Sequence, residues 1–96
     1  MKVTGRERLH DFCKKHADAR QWVEIWLQEA SAATWRTPQQ INDRYALASF
    51  LADNVVVLNV KGNHYRLEFT VAYKVVVVTI NWIGTHREYD ERNRHR

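Results

Sequence analysis

Between Leu9 and Ala30 the apolar residues recur every three or four positions; beyond Val55 they recur nearly every second one. The change of period divides the chain into a helical half and a strand half. Leu9, Phe12, Cys13 and His16 share one helical face, and Ala19, Trp22, Val23, Trp26, Leu27 and Ala30 form an apolar stripe. Three start signals accompany these stretches. Thr4-Gly5-Arg6-Glu7 has the form of a capping box, and Asp18-Ala19-Arg20-Gln21 repeats it with an Asp cap. Thr37-Pro38-Gln39-Gln40 adds a proline at the first helical position, where its missing N–H costs nothing. Helices are predicted at about 5–16, 19–33 and 38–45, with a short strand at residues 1–3.

The strand half reads VVVLNV, YRLEFTVAY and VVVTINWI, rich in β-branched and aromatic residues. Gly62-Asn63 suits a two-residue hairpin turn with positive φ, whereas the second turn, near Lys74-Val75, carries no such signal. These turns set Asn59 opposite Arg66, Leu58 opposite Leu67, Phe69 opposite Ile80, Leu67 opposite Trp82 and Arg66 opposite Ile83. One face then carries Val56, Leu58, Val60, Leu67, Phe69, Val71, Tyr73, Val76, Val78, Ile80 and Trp82, and the other Asn59, Lys61, His64, Arg66, Glu68, Thr70, Thr79 and Asn81. A one-residue slip would mix the two sets, so the register is strongly specified. The helices should cover the apolar face and leave the polar face open. With no linker or repeat, the 96 residues are expected to form a single α+β domain, 1–96, with 92–96 a frayed basic tail.

Composition narrows the function. The net charge of +4 admits a polyanionic ligand, an acidic protein or a membrane surface. The longest apolar run, VVVV at 75–78, is far too short to span a bilayer. The N-terminus lacks the apolar stretch of a signal peptide, and Cys13 is a lone cysteine, so a cytoplasmic protein with no membrane association is expected. Four tryptophans supply apolar bulk to a small core, and Trp22, Trp26 and Trp35 belong there or at a partner contact. His10-x-x-Cys13-x-x-His16 has metal-like spacing, but Cys13 sits with Leu9 and Phe12 on the core face and no second ligand pair exists. No metal or other cofactor is expected.

The chemistry gathers around IGTHREYD, 83–90. The strand that ends at Gly84 leaves the sheet at the same end as the Gly62-Asn63 turn, so Thr85-His86 emerge beside Lys61, His64 and Arg66. That corner suits a phosphate. Arg66 offers a fork to two phosphate oxygens, or simply pairs with Glu68 or Glu88. An unperturbed imidazole changes charge near neutral pH, so histidine suits general acid–base work and His86 is the first candidate for proton transfer. Tyr89 stacks on a base, donates a proton or covers an apolar edge. Glu88 and Asp90 are alternative bases, Glu88 the first of them, or caps and charge balance for a short terminal helix. Asn63, His64 and Arg87 are candidate contacts to a phosphate-bearing ligand. His10 and His16, on the first helix, should lie behind the sheet and away from this chemistry.

The run NVKGNHYRLEFTVAY, 59–73, followed by IGTHREYD, 83–90, resembles the HigB family of bacterial toxins, within the RelE/ParE-like superfamily. Trp35-Arg36-Thr37-Pro38 and the ASF at 48–50 extend the likeness over nearly the whole chain. The apolar Lys74-Val75-Val76-Val77 departs from it, since the family usually has charged or polar residues there. The resemblance implies a RelE-like fold, N-terminal helices on one face of a small antiparallel sheet. It implies a metal-independent ribonuclease that cuts mRNA, commonly on the ribosome, with Lys61, Arg66, His86 and Tyr89 at the family's basic and GTHxEYD positions. It makes RNA the ligand at Asn63, His64 and Arg87. It also implies a HigA-like helix-turn-helix antitoxin that neutralises the toxin and, with it, binds operator DNA. Two other readings stay open: a ParE-like gyrase inhibitor without enzymatic activity, and a degenerate module that binds RNA or antitoxin without cutting.

Overall fold

The structure is a computed structural model and describes residues 1–94. The elements run β1 (Lys2–Thr4), α1 (Arg6–Lys15), α2 (Arg20–Ala32), α3 (Pro38–Arg44), β2 (Ser49–Phe50), β3 (Val55–Val60), β4 (Tyr65–Ala72), β5 (Val77–Thr85) and α4 (His86–Arg94). The five strands form one sheet in the order β1-β5-β4-β3-β2. The β2–β3–β4–β5 pairings are antiparallel, while β1 lies parallel to β5 at its edge, so the sheet is mixed. The α+β class and the helix-on-sheet layering expected from the sequence hold.

The apolar stripes explain the layering. Leu9, Phe12, Val23, Trp26, Leu27 and Ala30 are buried against Val56, Leu58, Val60, Leu67, Phe69, Val71, Val78 and Ile80. Trp26 meets Phe69 with ring centroids 5.2 Å apart. Fully burying a side chain of this size contributes about 1.5–3 kcal/mol, which identifies this layer as the main source of stability. Cys13 is buried in it, and burial pushes its thiol pKa up. Trp35 is buried as well, and Trp22 is packed against the same core.

Only one of the three expected helix caps forms. The Thr37 hydroxyl accepts from the Gln40 amide at 3.4 Å, with Pro38 opening α3. Thr4 instead belongs to β1 and bonds to the Thr79 hydroxyl at 3.1 Å, so Gly5, with φ of 82°, starts α1 without a side-chain cap. Asp18 lies in a 3-10 turn (Ala17–Ala19), and Ala19 precedes α2. Both side chains have been drawn away by tertiary partners. At the other end of α2 the Met1 amino group donates to the carbonyls of Ala30, Ser31 and Ala33, at 3.0, 3.0 and 2.6 Å.

The β3–β4 register agrees with the sequence reading, with Asn59 opposite Arg66 and Leu58 opposite Leu67. Its turn is wider than two residues. The ladder stops at Val60 and Tyr65, and the positive φ values fall on Lys61 and Gly62. The β4–β5 register agrees through Phe69 and Ile80, then shifts by one at a bulge. Beyond it Glu68 faces Trp82, Leu67 faces Ile83 and Arg66 faces Gly84, in place of the expected Leu67–Trp82 and Arg66–Ile83 pairs. The extra residue turns Trp82 onto the polar face and Ile83 toward the core. That face is also not wholly open, because α4 folds across part of it. Residues 92–94 belong to α4 rather than to a frayed tail, and residues 95–96 lie outside the described residues.

Candidate active site

Two backbone segments are locked together at one end of the sheet. Tyr65 pairs with Thr85 and Arg66 with Gly84, and the His86 amide donates to the His64 carbonyl at 3.1 Å. Immediately after this contact the chain turns into α4. Thr85 and Glu88 make the turn through a reciprocal capping box: the Glu88 carboxylate accepts from the Thr85 amide at 2.9 Å, and the Thr85 hydroxyl from the Glu88 amide at 3.1 Å. The bond from the Thr85 amide holds the Glu88 pKa below its ordinary value. Glu88 therefore has a structural task, and its alternative role as a base would compete with that task.

α4 is tied to the sheet at its far end. Arg92 bonds to Glu68 at 2.8 and 3.5 Å, and lies 5.3 Å from the centre of the Trp82 ring. The Glu68 side chain is only 4% exposed, so this pair is largely shielded from water. Tyr89 packs on Trp82, ring centroids 5.8 Å apart. Gly84 is where the backbone permits this arrangement: a Cβ there would stand 2.5 Å from Cζ2 and Cη2 of Trp82. A glycine and a bulge together place Trp82 beneath the helix.

Arg66 projects from mid-sheet on this face, half-buried. Its guanidinium donates to Asn63 Oδ1 at 2.8 Å and to the Tyr65 carbonyl at 3.2 Å. Both acceptors are neutral, and among the described residues Arg66 makes no ion pair. The pairing with Glu68 or Glu88 that the sequence allowed does not form. Arg66 is thus oriented while its charge stays uncompensated, which is what an anion-binding group requires. Across the strand, Gly84 presents no side chain. His86, two residues on, sets Nε2 3.3 Å from Asp90 Oδ2, one helical turn away. A carboxylate there orients the imidazole. The sequence offers Asp90 as a base, a cap or charge balance but not as a partner of His86; the His-x-x-x-Asp spacing is the signal that could have revealed this pairing.

Lys61 does not join this group. Its left-handed backbone sends Nζ to within 3.5 Å of Asp18 Oδ2. Asp18 also accepts the Tyr65 hydroxyl on both oxygens, at 2.7 and 2.8 Å. The bond from Tyr65 holds the Asp18 carboxyl below its ordinary range, and Asp18 in turn raises the Tyr65 hydroxyl. Asp18 therefore braces both ends of the loop that carries Asn63, a role that reading it as a helix cap concealed. His64 is exposed on that loop. Arg87 is exposed on α4 and pairs loosely with Glu91, 3.8 Å away. Two pairs thus sit on adjoining backbone segments at this end of the sheet, Arg66 with Asn63 and His86 with Asp90, while Lys61 pairs with Asp18.

His16 is not remote from this chemistry as expected. Its ring stacks on Phe12 at 4.5 Å and approaches Tyr65 at 5.2 Å, and it lines a cleft together with Trp82 and Glu88. His10 and Cys13 lie near another surface depression with Arg20 and Glu24. Among the described residues no three His, Cys, Asp or Glu side chains converge as a metal site would need.

Comparison with known proteins gives one family. The HigB_toxin family, described as the RelE-like toxic component of a toxin–antitoxin system, matches residues 19–92. No curated relative matches the chain.

Proposed function

The chain belongs to the HigB_toxin family of RelE-like toxic components of toxin–antitoxin systems, and from that premise we propose that it is a metal-independent endoribonuclease that cuts mRNA. RelE-like toxins are generally associated with RNA cleavage, and toxins of this kind have an antitoxin partner. The observation that supports the proposal is that backbone pairing brings the segment carrying Arg66, whose guanidinium makes no ion pair among the described residues, to the same end of the sheet as the segment carrying the His86–Asp90 pair.

In the reaction a base removes the proton from an RNA 2′-OH, and that oxygen attacks the adjacent phosphorus. An acid then protonates the departing 5′ oxygen, leaving a 2′,3′-cyclic phosphate. Arg66 stabilises the charge that builds on the phosphoryl oxygens. His86 transfers a proton, with Asp90 holding its ring, and the Tyr89 hydroxyl assists the leaving group. Asn63, His64 and Arg87 contact the RNA. Lys61 contributes long-range attraction, reduced by Asp18. A site this sparse draws on the ribosome to align the message, because positioning supplies several kcal/mol more.

We assign the antitoxin as a HigA-like helix-turn-helix protein, with operator DNA bound by the complex. The exposed Leu47, which lines an apolar groove of about 580 Å³ with Asn63, and the exposed Phe50 and Leu51 that follow it in the chain support a protein partner. No helix among the described residues is long and apolar enough to cross a membrane, and the proposed action on mRNA sets the protein in the cytoplasm.

Product chemistry tests the reaction. Translating ribosomes, kept intact by magnesium, are incubated with the toxin while other metals are stripped by a selective chelator. Products with 5′-OH and 2′,3′-cyclic or 3′-phosphate ends are expected. Loss of cutting that zinc or manganese restores would overturn the mechanism.

A further inference from the structure

Outside the corner, the described residues hold a second concentration of uncommitted positive groups. β1 pairs with β5 only from Val77 to Thr79, so the outer edge of β5 from Ile80 onward has no strand partner. Gly5 sits against Ile80, where a Cβ would stand 3.0 Å from the Ile80 carbonyl oxygen, and launches α1 alongside that open edge. Between α1 and the edge lies a cleft of about 290 Å³. Arg8, Phe12 and Lys15, spaced four and three residues apart on α1, form its first wall, and His16 closes one end. Trp82 and Ile83 form the second.

The charges here differ in their commitments. The Glu88 carboxylate on the rim is bonded to the Thr85 amide, and Asp11 lies 3.9 Å from Lys14. Arg8, Lys15 and the His16 ring make no ion pair or side-chain hydrogen bond among the described residues. Lys15 and His16, at the end of α1, and Glu88, on α4, line the same cleft. Unpaired cations beside aromatic walls are the ordinary makings of a single-stranded nucleic-acid site. The volume is at the lower end for ligand sites, about 300–1,000 Å³, and suits one nucleotide rather than a folded element. Glu88 also links the cleft to the corner, since it lies on the first turn of α4 with His86.

Resting on the nuclease reading, we propose that this cleft between α1 and the open edge of β5 is an RNA subsite for a nucleotide flanking the one cut. Its phosphate is held by Arg8, Lys15 and His16, with the base against Trp82 and Phe12. The bulge and Gly84 then have a second use, since they bring the indole to the mouth of the cleft as well as beneath α4.

The test measures binding apart from cutting. A short fluorescent 2′-O-methyl RNA of mixed sequence, which has no 2′-OH to attack, is titrated with wild type, with Arg8→Gln/Lys15→Gln and with the control Arg36→Gln/Lys74→Gln. The cleft variant should bind at least about tenfold more weakly, and its salt slope should fall by about 1.4, from two lost contacts to a single strand. The control should stay within about twofold. In wild type the Trp82 indole N–H resonance, assigned through Trp82→Phe, should move on adding RNA. Wild-type affinity and slope in the cleft variant would overturn the subsite, as would an unmoved Trp82 signal. The same holds if that variant keeps its RNA affinity but no longer co-purifies with co-expressed antitoxin, which makes the cleft a protein surface. Message cleavage is scored in parallel. RNA binding at the cleft without cutting by wild type upholds the subsite and defeats the nuclease reading, whereas equal cutting and binding by wild type and the cleft variant defeats only the subsite.

Discussion

Arg66 and Lys61 differ in what accepts their hydrogen bonds. Arg66 is held by an amide and a carbonyl and keeps its charge for a ligand, whereas Lys61 is drawn to the Asp18 carboxylate. Arg66→Ala should therefore slow cleavage by about 10²–10³-fold, and Arg66→Lys should restore little because the fork is lost. His86→Ala should cost about 10²–10⁴-fold, and Lys61→Ala less than either, mainly as a weaker salt dependence of RNA binding. Single-turnover cleavage by each folded variant checks this ranking. Asp18 gives a stability prediction whose sign follows from its depressed pKa. Its folded-state value lies below the unfolded one, as does that of Glu88, so both contribute stability at neutral pH that is lost as pH falls from about 4.5 through the folded-state values. Urea midpoints measured across this range should decline more shallowly in Asp18→Asn than in wild type. A parallel decline would remove Asp18 from the account. Arg66 was legible because strand alternation alone puts it on the polar face. Lys61 was not, because its positive φ redirects a side chain that alternation had assigned to that face.

At the level of elements, α4 depends on a bulge, a glycine and a shielded ion pair. Gly84→Ala would drive a Cβ to 2.5 Å from the Trp82 ring and should cost about 1–3 kcal/mol as the ring is displaced. Arg92→Ala should cost about 2–3 kcal/mol, below the roughly 3–5 for fully buried pairs because the Arg92 side chain is 31% exposed. Denaturant unfolding reads both. Hydrogen exchange should show the α4 amides losing protection first, and uniform loss across the sheet would refute a local anchor. The helices and three main strands were readable because their apolar periods are long and clean. The pairing of β5 was readable only as far as Ile80. Past that point Asn81, Trp82 and Ile83 mix polar and apolar character in a way that suits either face, so a one-residue bulge leaves no mark. Thr4 and Asp18 look like caps in sequence because caps are local, yet each found a partner distant in the chain. The Thr85–Glu88 cap formed because both residues adjoin the end of β5.

For the whole molecule, the layers divide the work. Helices α1 and α2 bury the core face of the sheet, and the opposite face, partly covered by α4, carries the oriented arginine and histidine. A net charge of +4 favours attraction to RNA without deciding where it binds. The fold class was therefore legible, since it needs only the order and period of elements. The corner was legible in outline, as the meeting of the 61–66 and 84–90 segments, while the Asp90 partnership and the separation of Lys61 required the backbone. Whether this corner cuts RNA is decided by a transcript map, made by primer extension after brief induction without antitoxin. Wild type should arrest growth with discrete cuts inside translated coding regions, and an equally expressed, folded His86→Ala should leave transcripts intact and growth normal. Growth arrest with intact transcripts in wild type, or the same cuts in His86→Ala, would contradict RNA cleavage by this corner.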